Sequence, residues 1–212
     1  MSKTEDKKRK AAADRIINEM KRYNKTNKKS VPVGYSLDGN YQMITNAHCG
    51  VYLFEGHHIE GIPQCPDNKP TNECFPKIMD GLCENNLLEI TSDVPSVKKI
   101  RAYTSIVRKG NPCYEREKFR GAPMFIRDDL VNTSYLMDIM TLLPNASVFV
   151  NQDYTCRPIL FRSDYGMGVV LPILPLGAVD GWDEFYKNYP GINEPRHFIN
   201  VIFNKYHERF MK

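Results

Sequence analysis

Three sets of side chains in this 212-residue chain are of the types that carry out chemistry: aspartates, histidines and cysteines. Asp93 and the adjacent Asp128 and Asp129 offer carboxylates for a metal or for acid–base work. Neighbouring side chains on an extended segment point to opposite faces, however, and an Asp–Asp pair usually marks a turn. His48, His57 and His58 have no nucleophile–base partner and no paired carboxylates at a recognisable spacing. Such histidines act more often as hydrogen-bonding structural groups, since the ring both donates and accepts. Cys65, Cys74 and Cys83 follow His57 and His58 at equal spacing, a pattern that raises zinc. The compact cysteine pairs of structural zinc sites are missing, so buried thiols are expected instead. Neither a G-x-x-x-x-G-K phosphate loop nor H-E-x-x-H occurs. The expectation is a protein that is not an enzyme, with no catalytic residue, no metal site and no cofactor.

Composition sets the wider frame. At 42% apolar and 25% charged residues, the chain is expected to fold around a core. No apolar stretch reaches the length of a membrane span, and the basic amino terminus lacks the apolar centre of a secretory signal. A cytoplasmic protein with no membrane partner is expected, its six cysteines (also Cys49, Cys113 and Cys156) reduced. The net charge of +4 is unevenly spread, with lysine and arginine crowding residues 3–29. Such a block favours polyanions through counterion release; the alternative is a solvated basic arm.

These residues must be held by elements that periodicity outlines. Residues 1–9 read as a disordered arm, and a helix follows over Lys10–Asn24, with Ala13, Ile16, Ile17 and Met20 on its inner stripe. Val31–Leu37 and Tyr41–Thr45 flank an Asp38-Gly39 turn as a hairpin, and Val51–Glu55 reads as a third strand. A loop rich in proline follows, with a short helix at Phe75–Leu82. Leu87–Ile90 and Ile100–Val107 read as strands, the latter because Ile100, Ala102, Thr104 and Ile106 alternate with polar positions. Asn111–Arg120 is polar, and Pro123–Ile126 is strand-like. Leu136, Ile139, Met140 and Leu143 then form one helical stripe, capped by Asn132–Ser134 and stopped by Pro144-Asn145. Ser147–Asn151, Ile159–Arg162 and Gly168–Leu174 complete a run of strands. The fold class expected is α+β, helices laid on an antiparallel sheet.

Two stretches resemble the bacterial DNA polymerase III β sliding clamp. Ser134-Tyr135-Leu136-Met137-Asp138-Ile139-Met140 followed by Val169-Val170-Leu171-Pro172-Ile173-Leu174 is similar to that family's closing helix, of type SYVLDVL, and terminal strand, of type YVVMPMRL. Tyr41–Leu53 resembles its VATDGHRLAV strand–turn–strand. The resemblance implies a DNA-clamp-like (processivity-fold) domain and a DNA replication accessory protein. Its partners would be double-stranded DNA, polymerase or clamp-loader peptides, and copies of itself in a homo-oligomer. Clamp helices aim lysine and arginine at phosphates, which implies DNA-binding roles for Arg15, Lys21, Arg22 and Lys25. The family's turn walls a cleft for partner peptides, which implies partner-binding roles for Thr45, His48, Val170, Pro172 and Ile173. Only Thr45 and His48 of that turn keep the family residue; Asn46, Ala47, Cys49 and Gly50 replace Asp, Gly, Arg and Leu.

The expected organisation is a basic arm at 1–9, a clamp-like domain over 10–176 with an insertion at about 60–121, and a helical extension over 177–212. In that extension Ile199, Ile202, Phe203, Tyr206 and Phe210 form an apolar stripe. Docking of this stripe on the domain is the plainer expectation; the alternative is that the extension covers a partner-binding surface, with Trp182, Phe185 and Tyr186 as its anchors. Two functions remain open: a processivity factor, or a clamp-derived regulatory module that binds proteins without encircling DNA.

Overall fold

The computed structural model describes residues 3–27, 35–37, 41–46, 48–62, 86–110, 121–127, 129–152 and 158–172. The chain divides into two compact units, Met1–Val94 with Tyr135–Leu171, and Pro95–Ser134 with Pro172–Lys212. Both helices and antiparallel strands are present, so the α+β expectation holds.

The first unit is a helix followed by three strands, twice over. Helix α1 (Lys3–Asn27) precedes β1 (Tyr35–Leu37), β2 (Tyr41–Thr45) and β3 (Cys49–Leu53). Helix α3 (Thr133–Leu142) precedes β7 (Ser147–Asn151), β8 (Ile159–Ser163) and β9 (Gly166–Val170). The two sets join through β3 and β9, antiparallel, with Val51 opposite Gly168. With β4 (Leu87–Glu89) beside β7, the sheet order is β1-β2-β3-β9-β8-β7-β4.

Side-chain alternation gives this sheet two faces. Ile44, Val51, Gly168, Phe161 and Val148 form a row across one of them. Gly168 makes room for α3: a Cβ there would lie 2.8 Å from both Ile139 Cγ2 and Leu143 Cδ1. The helix therefore rests on the strands it precedes. Its cap is Asn132, whose Oδ1 accepts from Ser134 N at 2.8 Å. It ends near Asn145, at φ 56°, a left-handed position that asparagine tolerates. Met43, Tyr52, Leu160 and Val169 are buried on the opposite face, with Phe149 and Met167 packed against them.

In the second unit α2 (Val97–Gly110) packs on the hairpin of β5 (Pro123–Ile126) and β6 (Asp129–Asn132). Ile100, Tyr103 and Val107 are buried with Met124, Ile126 and Val131. Tyr103 Oη donates to the Pro123 carbonyl at 2.9 Å. Thr133 Oγ1 accepts from Ala122 N at 2.9 Å and pairs with Thr104 Oγ1 at 2.8 Å.

Several elements differ from their sequence reading. The segment Ile100–Val107 is helical, not a strand. The alternation there is accompanied by a better i, i+3, i+4, i+7 set, Ile100, Tyr103, Thr104 and Val107, all buried. Ser96 opens the helix: its carbonyl accepts from Ile100 N at 3.0 Å and its Oγ from Lys99 N at 3.5 Å. Helix α1 starts at Lys3, so residues 3–9 are helical rather than a disordered arm. Strand β3 starts two residues before the expected Val51, and β9 spans Gly166–Val170 rather than Gly168–Leu174. The expected helices at Phe75–Leu82 and in the C-terminal extension, with Trp182, Phe185 and Tyr186, lie outside the described residues.

Candidate functional site

Helix α1 buries Ala12, Ala13, Ile16, Ile17 and Met20, which fixes the opposite arc as its outer face. Lys21, Arg22 and Lys25 sit on that arc, exposed, over the last two turns. Arg15 shares it, but its guanidinium is committed to the fold. Nη2 and Nε reach Asp138 Oδ1 at 2.6 and 2.8 Å, with Asp138 only 2% exposed against 46% for Arg15. Of the cations expected to meet phosphate, three point outwards and the fourth holds α1 to α3.

Two further bridges follow the same seam. Arg9 Nε donates to the Leu142 carbonyl at 3.1 Å, and Tyr135 Oη donates to Glu19 Oε1 at 2.6 Å. Pairing of 9 with 142, 15 with 138 and 19 with 135 means that α1 and α3 run antiparallel. Arg9 is 2% exposed; its Nη2 donates to the His57 carbonyl at 2.8 Å and its guanidinium lies 4.9 Å from the Tyr165 ring centre. Burial pulls its pKa below the usual arginine value, against opposing Coulombic contributions from Tyr165 and Asp6. The Leu142 carbonyl belongs to the last turn of α3, where orphan acceptors and the negative dipole end favour a cation.

The turn between β2 and β3 is built around Asn46. Its Oδ1 accepts from His48 N at 3.0 Å, Cys49 N at 2.9 Å and Cys49 Sγ at 3.4 Å, while its Nδ2 donates to Glu19 Oε2 at 3.0 Å. Glu19 thus accepts from both Asn46 and Tyr135. An aspartate at position 46 would set two carboxylates against each other, so the amide fits this turn and the acid does not. His48 is exposed and stacked on Tyr135, ring centres 5.7 Å apart at 4°.

The carboxyl end of β9 adjoins this turn. Cys49 pairs with Val170, and Leu171 N donates to the His48 carbonyl at 2.8 Å. Thr45 Oγ1 donates to the Cys49 carbonyl at 2.8 Å. Thr45, His48 and Val170 are therefore brought together, but they do not all offer contact area. Val170 is fully buried, Thr45 and Pro172 are half-buried, and His48 is open. Leu171, not singled out from sequence, is the exposed apolar side chain here at 39%. Ile173 lies outside the described residues.

The other chemistry-bearing side chains are dispersed. Asp129 is buried in β6, and Asp93 closes a short 3-10 turn at Thr91–Asp93. His57 rests against Tyr165 at 4.4 Å between ring centres, and His58 Nε2 is buried without a hydrogen-bond partner among the described residues. Cys49 is a buried thiol outside any disulfide, while Cys65, Cys74 and Cys83 lie outside the described residues, as does Asp128. Among the described residues no helix is long and apolar enough to cross a membrane. The surface that results offers charge and shape for binding on α1 and at the turn.

No spacing in the sequence marks Glu19, Tyr135 and Asp138 as a set. A signal was available for one: Asp138 sits four residues after Ser134 inside a helix whose neighbouring positions are buried, and a carboxylate there requires a cation. No known protein family matches the chain, and neither a curated protein nor a solved structure shows detectable similarity to it.

Proposed function

We propose that the chain is a non-enzymatic DNA replication accessory protein of sliding-clamp type, acting in the cytoplasm. Several copies would close around duplex DNA and tether a polymerase or loader by a peptide. The carrying observation is α1: its apolar stripe is buried in the first unit while Lys21, Arg22 and Lys25 stand exposed on the opposite arc. The packing of α3 over Gly168, with the β7-β8-β9 meander beneath, is what a clamp-like domain requires. Tethering of this kind works by raising effective concentration, with no bond made or broken. The peptide site would lie at His48 and Leu171, beside the turn closed by Asn46.

Duplex binding titrated against salt tests the proposal. Three phosphate contacts contribute about 2.7 to the slope of log K against log salt. Replacing Lys21, Arg22 and Lys25 with alanine is expected to remove that share; an unchanged slope would count against the assignment.

The second reading, a clamp-derived regulatory module that does not encircle DNA, is favoured by one observation. The turn that would grip a peptide spends Asn46 on its own backbone and on Glu19. A strict monomer with no salt-dependent DNA affinity would select this reading.

A further inference from the structure

We infer that the second unit carries its own nucleic-acid-binding surface, the exposed face of α2, formed by Lys98, Lys99, Arg101, Arg108 and Lys109. This goes beyond the clamp reading and does not rest on it, because α2 lies outside both stretches that carry the resemblance.

The charge balance of the helix is one-sided. VKKIRAYTSIVRKG contains five cations and no acid, so α2 alone carries more positive charge than the net +4 of the whole chain. Helix α1 by contrast mixes its cations with Glu5, Asp6, Asp14 and Glu19, and two of them, Lys10 and Arg15, are held in ion pairs. Among the described residues none of the five α2 cations is in an ion pair.

The direction of the face is fixed by packing. Ile100, Tyr103, Thr104 and Val107 are buried, and the hydrogen bonds from Tyr103 Oη and Thr104 Oγ1 set the rotation of the helix about its axis. The five cations are all exposed: Lys98 and Lys109 stand opposite the buried stripe with Ala102 and Ser105, and Arg101 and Arg108 on one side and Lys99 on the other flank them. Two small residues in the centre let a sugar–phosphate backbone approach the helix, with cations along its length. Lys98 and Lys109 are separated by about 16 Å along the axis at 1.5 Å per residue, close to the rise of about five base pairs.

Local helix chemistry does not ask for this arrangement. Lys98 and Lys99 lie in the first turn, where the dipole favours acids and disfavours cations. Anion binding turns that cost into a gain, since the dipole and both ammonium groups then act on the same phosphates. A nucleic acid is favoured over a lipid surface because the apolar side of α2 is already buried, leaving none to enter a bilayer.

The test uses the full chain, a fluorescent 25-base-pair duplex and vesicles containing phosphatidylserine. The variant with all five cations replaced by alanine is expected to bind the duplex at least tenfold more weakly at low salt, with a salt slope reduced by up to about 4.5. Ser105→Glu is the second variant. Its carboxylate sits four residues from both Arg101 and Lys109, so it is expected to raise Tm while weakening duplex binding. Duplex binding equal to that of the unmodified chain in both variants would overturn the inference, as would losses confined to vesicle binding. The alanine variant of Lys21, Arg22 and Lys25 is measured alongside. Loss there without loss in the α2 variants removes this surface and leaves the clamp reading standing. The converse leaves this surface standing and removes the role of α1.

Discussion

Replacing Arg9 with methionine probes how far α1 is built into the fold. The guanidinium donates to the Leu142 and His57 carbonyls at 3.1 and 2.8 Å and lies 4.9 Å from the Tyr165 ring centre. Hydrogen bonds from a charged donor contribute about 1.5–3 kcal/mol each, and a partly buried cation–π contact about 0.5–1 kcal/mol. The opposing effect is desolvation of the charge, which costs several kcal/mol and is recovered when the charge is removed. Methionine keeps the apolar stem but leaves the buried Leu142 carbonyl and the part-buried His57 carbonyl without this donor, at about 1–3 kcal/mol each, less for the second. The net expectation for Arg9→Met is a loss of about 2–3 kcal/mol. In urea, with a slope of about 2–3 kcal/mol/M, the midpoint falls by about 1 M. Arg9→Lys is expected to lose roughly half as much, because an ammonium lacks the planar fork that spans both carbonyls. Lys8→Met, at an exposed neighbour, is the control and stays within about 0.5 kcal/mol. If Arg9→Met were no worse than Lys8→Met, the bridge between α1 and α3 would carry no weight and the amino-terminal helix would be a solvated arm after all. The pH dependence has a defined sign. A cation whose folded pKa is depressed binds fewer protons when folded, so its contribution becomes more favourable as pH rises between the folded value and the ordinary arginine value, and is constant below both.

Asn46→Asp is expected to destabilise by about 1–3 kcal/mol through its approach to Glu19. Combining it with Glu19→Gln recovers part of that loss, a coupling that a double-mutant cycle in urea measures. Gly166→Ala is expected to cost more than Gly168→Ala: at Gly166, with φ 147°, the new Cβ runs into the Tyr52 backbone carbonyl, whereas at Gly168 it meets side chains that shift. Thermal melts order the two, with Gly168→Ala losing about 1–3 kcal/mol. Arg15→Gln is expected to lower stability by about 1–2 kcal/mol, since it removes the ion pair made with the buried Asp138 carboxylate, while leaving the salt slope of duplex binding unchanged.

What was legible in the sequence follows from which signals compete locally. The helix at Thr133–Leu142 was clear because its cap, stripe and stop residues agree. The three strands after it were bounded by turns, and Asp164-Tyr165 with Gly166 fixed one of them. Helix α2 reads as a strand because Val97, Ile100, Thr104, Ile106 and Val107 are β-branched and the alternation of Ile100, Ala102, Thr104 and Ile106 masks the 3.6-residue period; Ser96 is its start signal. Arg9 looked like one more cation in a basic block, since nothing nearby in the chain announces that Leu142 and His57 will supply its acceptors. The same limit applies to the candidate site. Lys21, Arg22 and Lys25 could be placed outwards by periodicity alone, but the pairing of Arg15 with Asp138 and of Asn46 with Glu19 depends on contacts made across the fold.

The central claim is topological, and retention on circular DNA tests it directly. The protein is loaded on a nicked circular plasmid and passed through a gel-filtration column at salt high enough to strip simple phosphate contacts. The account predicts that protein elutes with the circle and is released once the plasmid is cut to linear form. Equal retention on circular and linear DNA, or none on either, would contradict it.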